Sequence, residues 1–320
     1  MFISSFNMKK FITGICLFAF LVVVTVYICN RNYYPAKAKG NDGYLGAIVD
    51  KHNFANKTKS PRIIFCGGSN VAFGINSKRI ADSTGIPVVN LGMHGGLGLN
   101  FMLNEVKHVA RPSDIIVISI EYYLTADGDH LMKKEAQRIF PEAGSYFSQT
   151  FHQFMSDFFI EDLQKNFSVT LARLFNRKQK GFPANVVYSR TSFNEYGDVV
   201  RNFDKNPSHK FLESFKMDYK YFPGMQLLNN FKAYADENNI RVYFLYPCFP
   251  ESLYEQKRSV FDAYDRDLKS DLKIKLLNKP ADAVFPDSLF YDTEYHLIPK
   301  GRELRTGQII ELLKREKIGH

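Results

Sequence analysis

The sequence lacks the residues and motifs that mark several large classes of protein. Its 320 residues contain four cysteines and no tryptophan. Cys16 and Cys29 lie inside an apolar segment, so only Cys66 and Cys248 remain for a folded domain, which excludes a disulfide framework. Neither of the latter two belongs to a CxxC pair or lies close to a histidine in the chain. We therefore expect no zinc site.

Nucleotide-binding and nucleic-acid-binding signatures are also missing. No GxGxxG or Walker pattern follows a predicted strand, which argues against a dinucleotide site. The formal net charge is +9, but lysine and arginine are spread thinly and form no basic helix, so we expect no nucleic-acid binding. This diffuse positive charge suits a domain that works beside an anionic membrane surface or an acidic polymer.

One long apolar run is present, near the N terminus. Residues 11–29 carry no charge, and 19 residues at about 1.5 Å each form a helix of roughly 28 Å, close to the hydrocarbon thickness of a bilayer. Polar residues follow directly, and a cleavage-like Ala-Lys-Ala at 36–38 lies late, so an uncleaved transmembrane anchor is predicted. Basic residues flank the run almost equally, so charge does not settle its orientation.

The remaining chain predicts a short tail, a linker and one α/β domain. Residues 1–10 precede the anchor, and residues 30–60 are polar without sustained periodicity, which is typical of a juxtamembrane linker. Over residues 61–320, strand and helix patterns alternate, which predicts parallel strands with right-handed crossovers. An aromatic-rich stretch over about 124–221 interrupts this alternation as an insertion or cap. The predicted strands are 62–66, 87–91, 114–120 and 241–246, and the predicted helices are 75–84, 99–110, 224–238, 252–269 and 300–314.

A serine follows the first predicted strand. Ser69 comes after Gly67 and Gly68 at the carboxyl end of that strand, where ligands bind in open α/β sheets. Glycines before the serine let the backbone turn sharply and expose the hydroxyl, while the Ser69 amide can point at a developing oxyanion. An ordinary turn is the alternative for this segment taken alone.

Two further segments are predicted at the same edge of the sheet. The glycine-rich loop after the second strand can offer N–H groups, including that of Gly92, to an anion, although a flexible loop has the same composition. Near the C terminus, His296 can act as a base near neutral pH and Asp292, four residues before it, can orient the imidazole. Together the segments predict a Ser69–His296–Asp292 triad.

This arrangement resembles the SGNH/GDSL hydrolase superfamily. Ser69 matches the nucleophile of its first block, Gly92 in Asn-x-Gly matches the oxyanion glycine, and Asp292 with His296 matches the C-terminal pair. The resemblance covers roughly residues 61–125 and 240–320. It implies a flavodoxin-like three-layer α/β sandwich with a central, mostly parallel sheet, and serine catalysis that needs no metal and no cofactor.

The sequence departs from the family pattern at three places. Gly68 stands where the family has aspartate, the C-terminal spacing is one residue longer than DxxH, and Glu121 begins the segment that replaces the asparagine of the third block. Asn70 or an amide of the glycine-rich loop is the candidate substitute for that oxyanion donor. Losing one such donor typically costs about two to three powers of ten in rate.

The divergent blocks, the single anchor and the insertion look more like membrane-tethered O-acyltransferases than secreted lipases. That branch implies a domain outside the bacterial inner membrane, a polysaccharide acceptor that is most plausibly acetylated, and a membrane-bound acyl-donor partner. Transfer to a sugar and hydrolysis by water use the same machinery, so an esterase or glycan deacetylase remains an alternative. A non-catalytic, membrane-tethered glycan-binding or assembly factor is the alternative from another class.

Several other residues are candidates for substrate contact. Each has an ordinary structural alternative, namely a surface loop residue, the end of a strand or a solvated helix face. They are His94, Glu121, Tyr122, Arg302 and Arg305.

Overall fold

The predicted apolar strands form a parallel sheet in the computed structural model, which describes residues 7–40, 42–157, 175, 187–201 and 208–319. The strands are β1 (Ile63–Cys66), β2 (Val88–Asn90), β3 (Ile115–Ile118), β4 (Arg241–Phe244), β5 (Phe249–Pro250), β6 (Lys275–Leu276) and β7 (Val284–Phe285). Five of them make one sheet in the order β2-β1-β3-β4-β6, while β5 and β7 pair separately. The prediction of an α/β protein with a mostly parallel central sheet is confirmed.

Helices of the unit that contains the sheet cover both of its faces. The described α-helices of the chain are α1 (Met8–Gly40), α2 (Ala47–Lys57), α3 (Ser69–Gly74), α4 (Ser77–Thr84), α5 (Leu99–Val109), α6 (His130–Ile139), α7 (Phe151–Ser156), α8 (Phe211–Ser214), α9 (Met225–Glu237), α10 (Glu251–Gln256), α11 (Arg258–Asp271) and α12 (Pro299–Arg315), of which α1 and α7 belong to a separate unit. Helices α5, α9 and α11 pack on one face, and α3, α4 and α12 pack on the other.

The alternation of side chains along each strand produces these two cores. In β1, Ile63 and Phe65 point to the face covered by α4 and α12, whereas Ile64 and Cys66 point to the opposite face. Because both faces are covered, the strands are apolar throughout rather than at every second position. Each fully buried aliphatic or aromatic side chain of this kind contributes about 1.5–3 kcal/mol.

The strand order changes direction at β1. The chain passes from β1 to β2 on one side and then crosses to β3 on the other side of β1. Phe65 pairs with Asn90 and Cys66 pairs with Ile118, so the segments that follow β1, β2 and β3 leave the sheet side by side. Ligands bind at such switch points in open α/β sheets.

The N-terminal helix contains one stretch, Met8–Thr25, that is long and apolar enough to cross a membrane, although a signal sequence has the same properties. This helix continues to Gly40, within the residues predicted as a linker. It belongs to a compact unit of Met1–Asn41 and Ser148–Gly181, separate from the unit of Asp42–Phe147 and Phe182–His320 that contains the sheet.

The later part of the predicted linker is folded into the larger unit, which corrects the domain start near residue 61. Helix α2 buries Ala47, Ile48 and Ala55 together with two polar residues. Lys51 donates to the carbonyls of Asn90 and Gly197, and His52 contacts Glu105. The buried positions are partly polar, so their helical spacing gives no apolar periodicity in the sequence.

The predicted insertion contributes to the sheet unit where it is described. Residues 187–201 return to the edge of the sheet, where the Asn90 N–H donates to Tyr196 O and the Val199 N–H donates to Ala72 O. Of the α-helices described in the insertion, α6 and α8 belong to this unit and α7 belongs to the smaller unit. Residues 158–174, 176–186 and 202–207 of the insertion lie outside the described residues.

Candidate active site

The predicted nucleophile lies at the first residue of a short helix. Ser69 begins α3 immediately after β1 and is partly exposed. A side chain at Gly67 would overlap the carbonyl of Ser119, so only glycine allows β1 to turn this close to the end of β3. Among the described residues, neither the amide nor the hydroxyl of Ser69 has a hydrogen-bond partner. Both groups are therefore free of protein hydrogen bonds in the described structure.

The predicted acid–base pair forms a close contact. His296 Nδ1 lies 2.7 Å from Asp292 Oδ1, and the loop between them is closed by the Tyr291 N–H, which donates to His296 O over 2.8 Å. This closed loop accommodates the spacing that is one residue longer than DxxH. His296 is only 5% exposed, and its ring stacks on Phe73 of α3 with centroids 4.0 Å apart. No hydrogen bond joins His296 to Ser69 in the described structure.

Tyr188 completes this group and was not predicted. Its hydroxyl donates to Asp292 Oδ2 over 2.5 Å and lies 3.2 Å from His296 Nδ1. With both carboxylate oxygens of Asp292 accepting, the Nδ1 of His296 is assigned as the proton-bearing nitrogen, which leaves Nε2 as the basic one. Burial and the bond to Asp292 raise the pKa of Tyr188, so its hydroxyl keeps its proton.

The carboxyl group of Glu121 covers the backbone before the nucleophile. Glu121 Oε1 accepts from the Asn70 N–H over 3.1 Å, and a side chain at Gly68 would overlap both carboxyl oxygens. The same carboxyl group lies 3.5 Å from the position of a side chain on Gly95, in the loop after β2. Glu121 is only 8% exposed. Its carboxyl group therefore fills the space that a side chain at residue 68 would occupy.

A buried arginine holds the first turn of α3 in place. The guanidinium of Arg305 donates to Asn70 O over 2.7 Å, to Asn70 Oδ1 over 3.2 Å and to Ser119 Oγ over 2.9 Å. The Asn70 side chain in turn donates to Ser119 O over 2.9 Å. Arg305 is 2% exposed and Asn70 is fully buried. In this structure both residues bond to protein groups, and these bonds hold the turn that carries Ser69.

The glycine-rich loop packs against the same helix. A side chain at Gly92 would overlap Val71 of α3, so glycine allows this close approach. The Gly92 N–H donates to Asn90 Oδ1 over 2.8 Å, and Asn90 Nδ2 donates to Asp198 Oδ1 over 2.8 Å. Of the two amides predicted for the oxyanion hole, that of Ser69 is open and that of Gly92 is bonded within its own loop.

Two buried side chains support the loop, Asp198 from the insertion and Lys51 from α2. Asp198 is 1% exposed and accepts from the N–H and hydroxyl of Ser77 over 2.8 and 2.5 Å. Lys51 donates to Asn90 O and Gly197 O over 2.9 and 2.6 Å. Burial lowers the pKa of Lys51 to about 7, against a smaller opposing effect of Asp198.

The remaining predicted residues divide between the site and its surroundings. His94 Nδ1 accepts from the Gly96 N–H over 2.9 Å, and burial lowers the pKa of His94, with Glu121 and His296 both near enough to influence it. Tyr122 is buried in an aromatic cluster, 4.8 Å from Phe261 by ring centroid. Arg302 donates to Val199 O over 2.8 Å and lines a separate pocket of about 370 Å³.

A groove of about 440 Å³ begins beside the acid–base loop. Glu294 and Tyr295 form one end of it, and burial raises the pKa of Glu294. Tyr123 has a left-handed backbone, with φ of 55°, and lies with Lys220 Nζ 5.5 Å above its ring. The residues that line the groove combine aromatic rings with charged groups. They are Tyr122, Tyr123, Phe215, Lys216, Met217, Asp218, Tyr219, Lys220, Glu294 and Tyr295.

Within the described part of the chain, no group of three or more His, Cys, Asp or Glu side chains could hold a metal ion. Comparison of the sequence with protein-family models and with curated proteins finds no match to either. The chemistry of the site therefore follows from its own residues and their geometry.

Proposed function

We propose that this protein is a membrane-anchored serine acyltransferase that O-acetylates a cell-envelope or secreted polysaccharide through an acyl-serine intermediate. The observation that carries the proposal is the Tyr188–Asp292–His296 group. It orients an imidazole whose ring stacks on Phe73, one turn after Ser69 on the same short helix. This is the set of parts that an activated serine needs: a nucleophile, a base and a group that orients the base.

In the proposed reaction, Ser69 Oγ attacks the acyl carbonyl while Nε2 of His296 takes its proton. The imidazolium then returns that proton to the leaving group, which releases the donor and leaves an ester on Ser69. An acceptor hydroxyl attacks this ester, again losing its proton to His296, and Ser69 is regenerated. Asp292 accepts from Nδ1 and stabilises the imidazolium in both halves of the reaction. The Ser69 amide is the open donor for the oxyanion.

The fold is consistent with this proposal. The order β2-β1-β3-β4-β6 corresponds to the flavodoxin-like order once the separate β5 is left out, and helices cover both faces. That arrangement is the one expected for an SGNH-like domain. Ser69, the Gly92 loop and the Asp292–His296 loop leave the core near the same switch point.

The groove beside Glu294 supports a glycan as the acceptor. Tyr219 is 49% exposed at this groove, and its hydroxyl donates to Asp267 over 3.0 Å, which holds the ring in one orientation. Exposed aromatic faces with nearby charged groups are suited to sugars, which offer C–H faces and hydroxyls. We propose that helix α1 anchors the domain on the outer side of the bacterial inner membrane, where a membrane-bound protein supplies the acyl group.

One observation favours a non-catalytic glycan-binding or assembly factor as a second candidate. The Gly92 amide is bonded to Asn90, and the Asn70 amide is bonded to Glu121, so two donors near Ser69 are occupied. An oxyanion hole with a single open amide would be weak.

Glycan analysis of a deletion strain separates these functions. Loss of acetyl groups, restored by the wild-type gene but not by Ser69→Ala, is the result expected for a transferase. Gain of acetyl groups after deletion would contradict it and support the esterase or deacetylase. Full complementation by Ser69→Ala would support the non-catalytic factor.

A further inference from the structure

The backbone around Ser69 offers a single open amide for an oxyanion. The Gly92 N–H donates to Asn90 Oδ1. The Asn70 N–H donates to Glu121 Oε1, which leaves the Ser69 amide open. Side chains of Asn, Gln, Ser, Tyr or His can supply oxyanion donors as well as backbone amides. A second donor would therefore be a side chain that lies beside the nucleophile and carries an N–H or O–H with no protein partner.

The backbone of His94 lies against the turn that carries the nucleophile. On one side of it, the Met93 N–H donates to Gly67 O over 3.3 Å. On the other side, the position of a side chain on Gly95 lies 3.5 Å from the carboxyl group of Glu121, which also covers the glycine directly before the nucleophile. His94 is thus held between two contacts to the residues that precede the serine.

The imidazole of His94 belongs to the same cluster of rings as the acid–base pair. Its centroid lies 6.4 Å from that of Tyr44, whose ring lies 5.8 Å from that of Tyr188. The Tyr188 hydroxyl donates to Asp292, and the ring of Tyr188 lies 6.1 Å from that of His296. The charge of His296 also influences the pKa of His94. The loop after β2 therefore brings a second imidazole into the site.

His94 presents one N–H that has no protein partner. The Gly96 N–H donates to Nδ1 over 2.9 Å, so Nδ1 bears no proton and Nε2 carries it. Burial lowers the pKa of His94 by more than Glu121 raises it, so the ring is neutral near neutral pH. Among the described residues Nε2 makes no hydrogen bond, yet it is not sealed from solvent. A bound molecule can therefore accept a hydrogen bond from it.

We propose that His94 Nε2–H is a second oxyanion donor, which acts together with the Ser69 amide. This rests on the proposed acyl-serine reaction. When Ser69 Oγ bonds to the acyl carbon, an electron pair of the C=O double bond moves to the oxygen, and Nε2–H donates to that oxygen while keeping its proton. The double bond forms again as the leaving group departs with the proton that His296 took from Ser69. A neutral imidazole can serve in this way in both halves of the reaction.

The test compares two acyl donors that differ only in the atom that becomes charged. They are p-nitrophenyl acetate and its thiono analogue, in which sulfur replaces the carbonyl oxygen, and both release p-nitrophenol. Sulfur accepts hydrogen bonds weakly, so loss of an oxyanion donor slows the ester more than the thionoester. The burst rate of the full chain in detergent is measured with each donor, the rate with Ser69→Ala is subtracted, and the ratio of the two rates is taken.

We expect His94→Ala to slow the ester burst by about a hundredfold or more and to lower the ester-to-thionoester ratio by about tenfold or more. His94→Phe keeps a ring but has no N–H, so it should lower the ratio as well. His108→Ala, the same change at an exposed histidine of α5, should leave the burst rate and the ratio unchanged. Because both donors are measured on one preparation, the ratio does not depend on the fraction of the protein that is folded.

A wild-type ratio in either His94 variant overturns the role of His94, even where both rates fall, because a disturbed loop slows the two donors equally. The acyl-serine itself would stand in that case. Absence of any Ser69-dependent burst in the wild type is a different failure, because it removes the proposed function.

Discussion

Phe73 and His296 stack face to face, with ring centroids 4.0 Å apart and ring planes 10° apart. The two residues are more than two hundred positions apart in the chain, yet this contact places the imidazole of His296 against the helix that begins at Ser69. His296 is thereby fixed from two sides, by Phe73 on its face and by Asp292 on its Nδ1 edge. A ring held in this way has little orientational freedom, which is what the proposed role of His296 as a base requires.

Replacing Tyr188 tests the hydroxyl that bonds to Asp292. Tyr188→Phe removes a donor to a carboxylate, a bond worth about 1.5–3 kcal/mol, so we expect about a tenfold or greater fall in the rate of p-nitrophenyl acetate turnover. Tyr219→Phe is the matched control, because it removes a hydroxyl from Asp267 at the surface. Equal rates for the wild type and Tyr188→Phe would show that Asp292 and His296 are held without Tyr188.

Replacing Arg305 tests the support under the nucleophile turn. Arg305→Met leaves Asn70 and Ser119 without their buried donor, so we expect the free energy of unfolding to fall by about 2–5 kcal/mol. Arg79→Met removes an exposed pair with Glu303 and should change it by less than about 1 kcal/mol. Urea unfolding measures both variants, and similar small losses for the two would contradict a supporting role for Arg305.

The overlap at Gly68 predicts a coupling between two substitutions. Gly68→Ala should lower the free energy of unfolding by about 1–3 kcal/mol, because the new methyl group meets the carboxyl group of Glu121. The same change should cost less in a Glu121→Ala background, where that space is open. Gly307→Ala is the control, since its methyl group meets only the end of the Arg79 side chain. Additive losses from Gly68→Ala and Glu121→Ala would contradict the contact.

The buried Lys51 predicts a pH dependence of stability. Its pKa is lowered to about 7 in the fold, whereas an unfolded lysine titrates near about 10.4, so between these values the unfolded chain binds the extra proton. This contribution therefore makes the folded state more stable as pH rises from about 7 towards 10, by at most about 1.4 kcal/mol per pH unit.

Lys51→Met removes that contribution. Urea unfolding at pH 7.5 and pH 9 should show the wild type gaining stability relative to this variant as pH rises. No relative gain over the same interval would mean that Lys51 stays charged in the fold.

The long strands and the positions of the catalytic candidates could be predicted because local patterns determine them. Residues 115–118 form a buried strand within the predicted 114–120, and Ser69, Asp292 and His296 follow from turn chemistry and strand order. The two-residue strands β5, β6 and β7 were not predicted, because so short a pairing has no sequence period.

Contacts between distant segments account for the rest. Tyr188 reaches Asp292 from an insertion whose aromatic residues have no pattern that separates a site residue from a core residue. Glu121 interrupts the expected third block, but only the fold reveals that its carboxyl group occupies the space beside Gly68. The polar face of α2 is buried because Lys51 and His52 find partners far along the chain.

Labelling with a fluorophosphonate probe tests the central claim, that Ser69 is an activated nucleophile, most directly. The full chain in detergent is treated with the probe, and wild type is compared with Ser69→Ala and His296→Ala, each checked for folding by thermal unfolding. We predict stable labelling of the wild type and none of the two variants, with Ser69 identified as the modified residue by mass spectrometry. A folded wild type that takes up no probe, or one that is labelled equally after Ser69→Ala, would contradict the proposed acyl-serine chemistry.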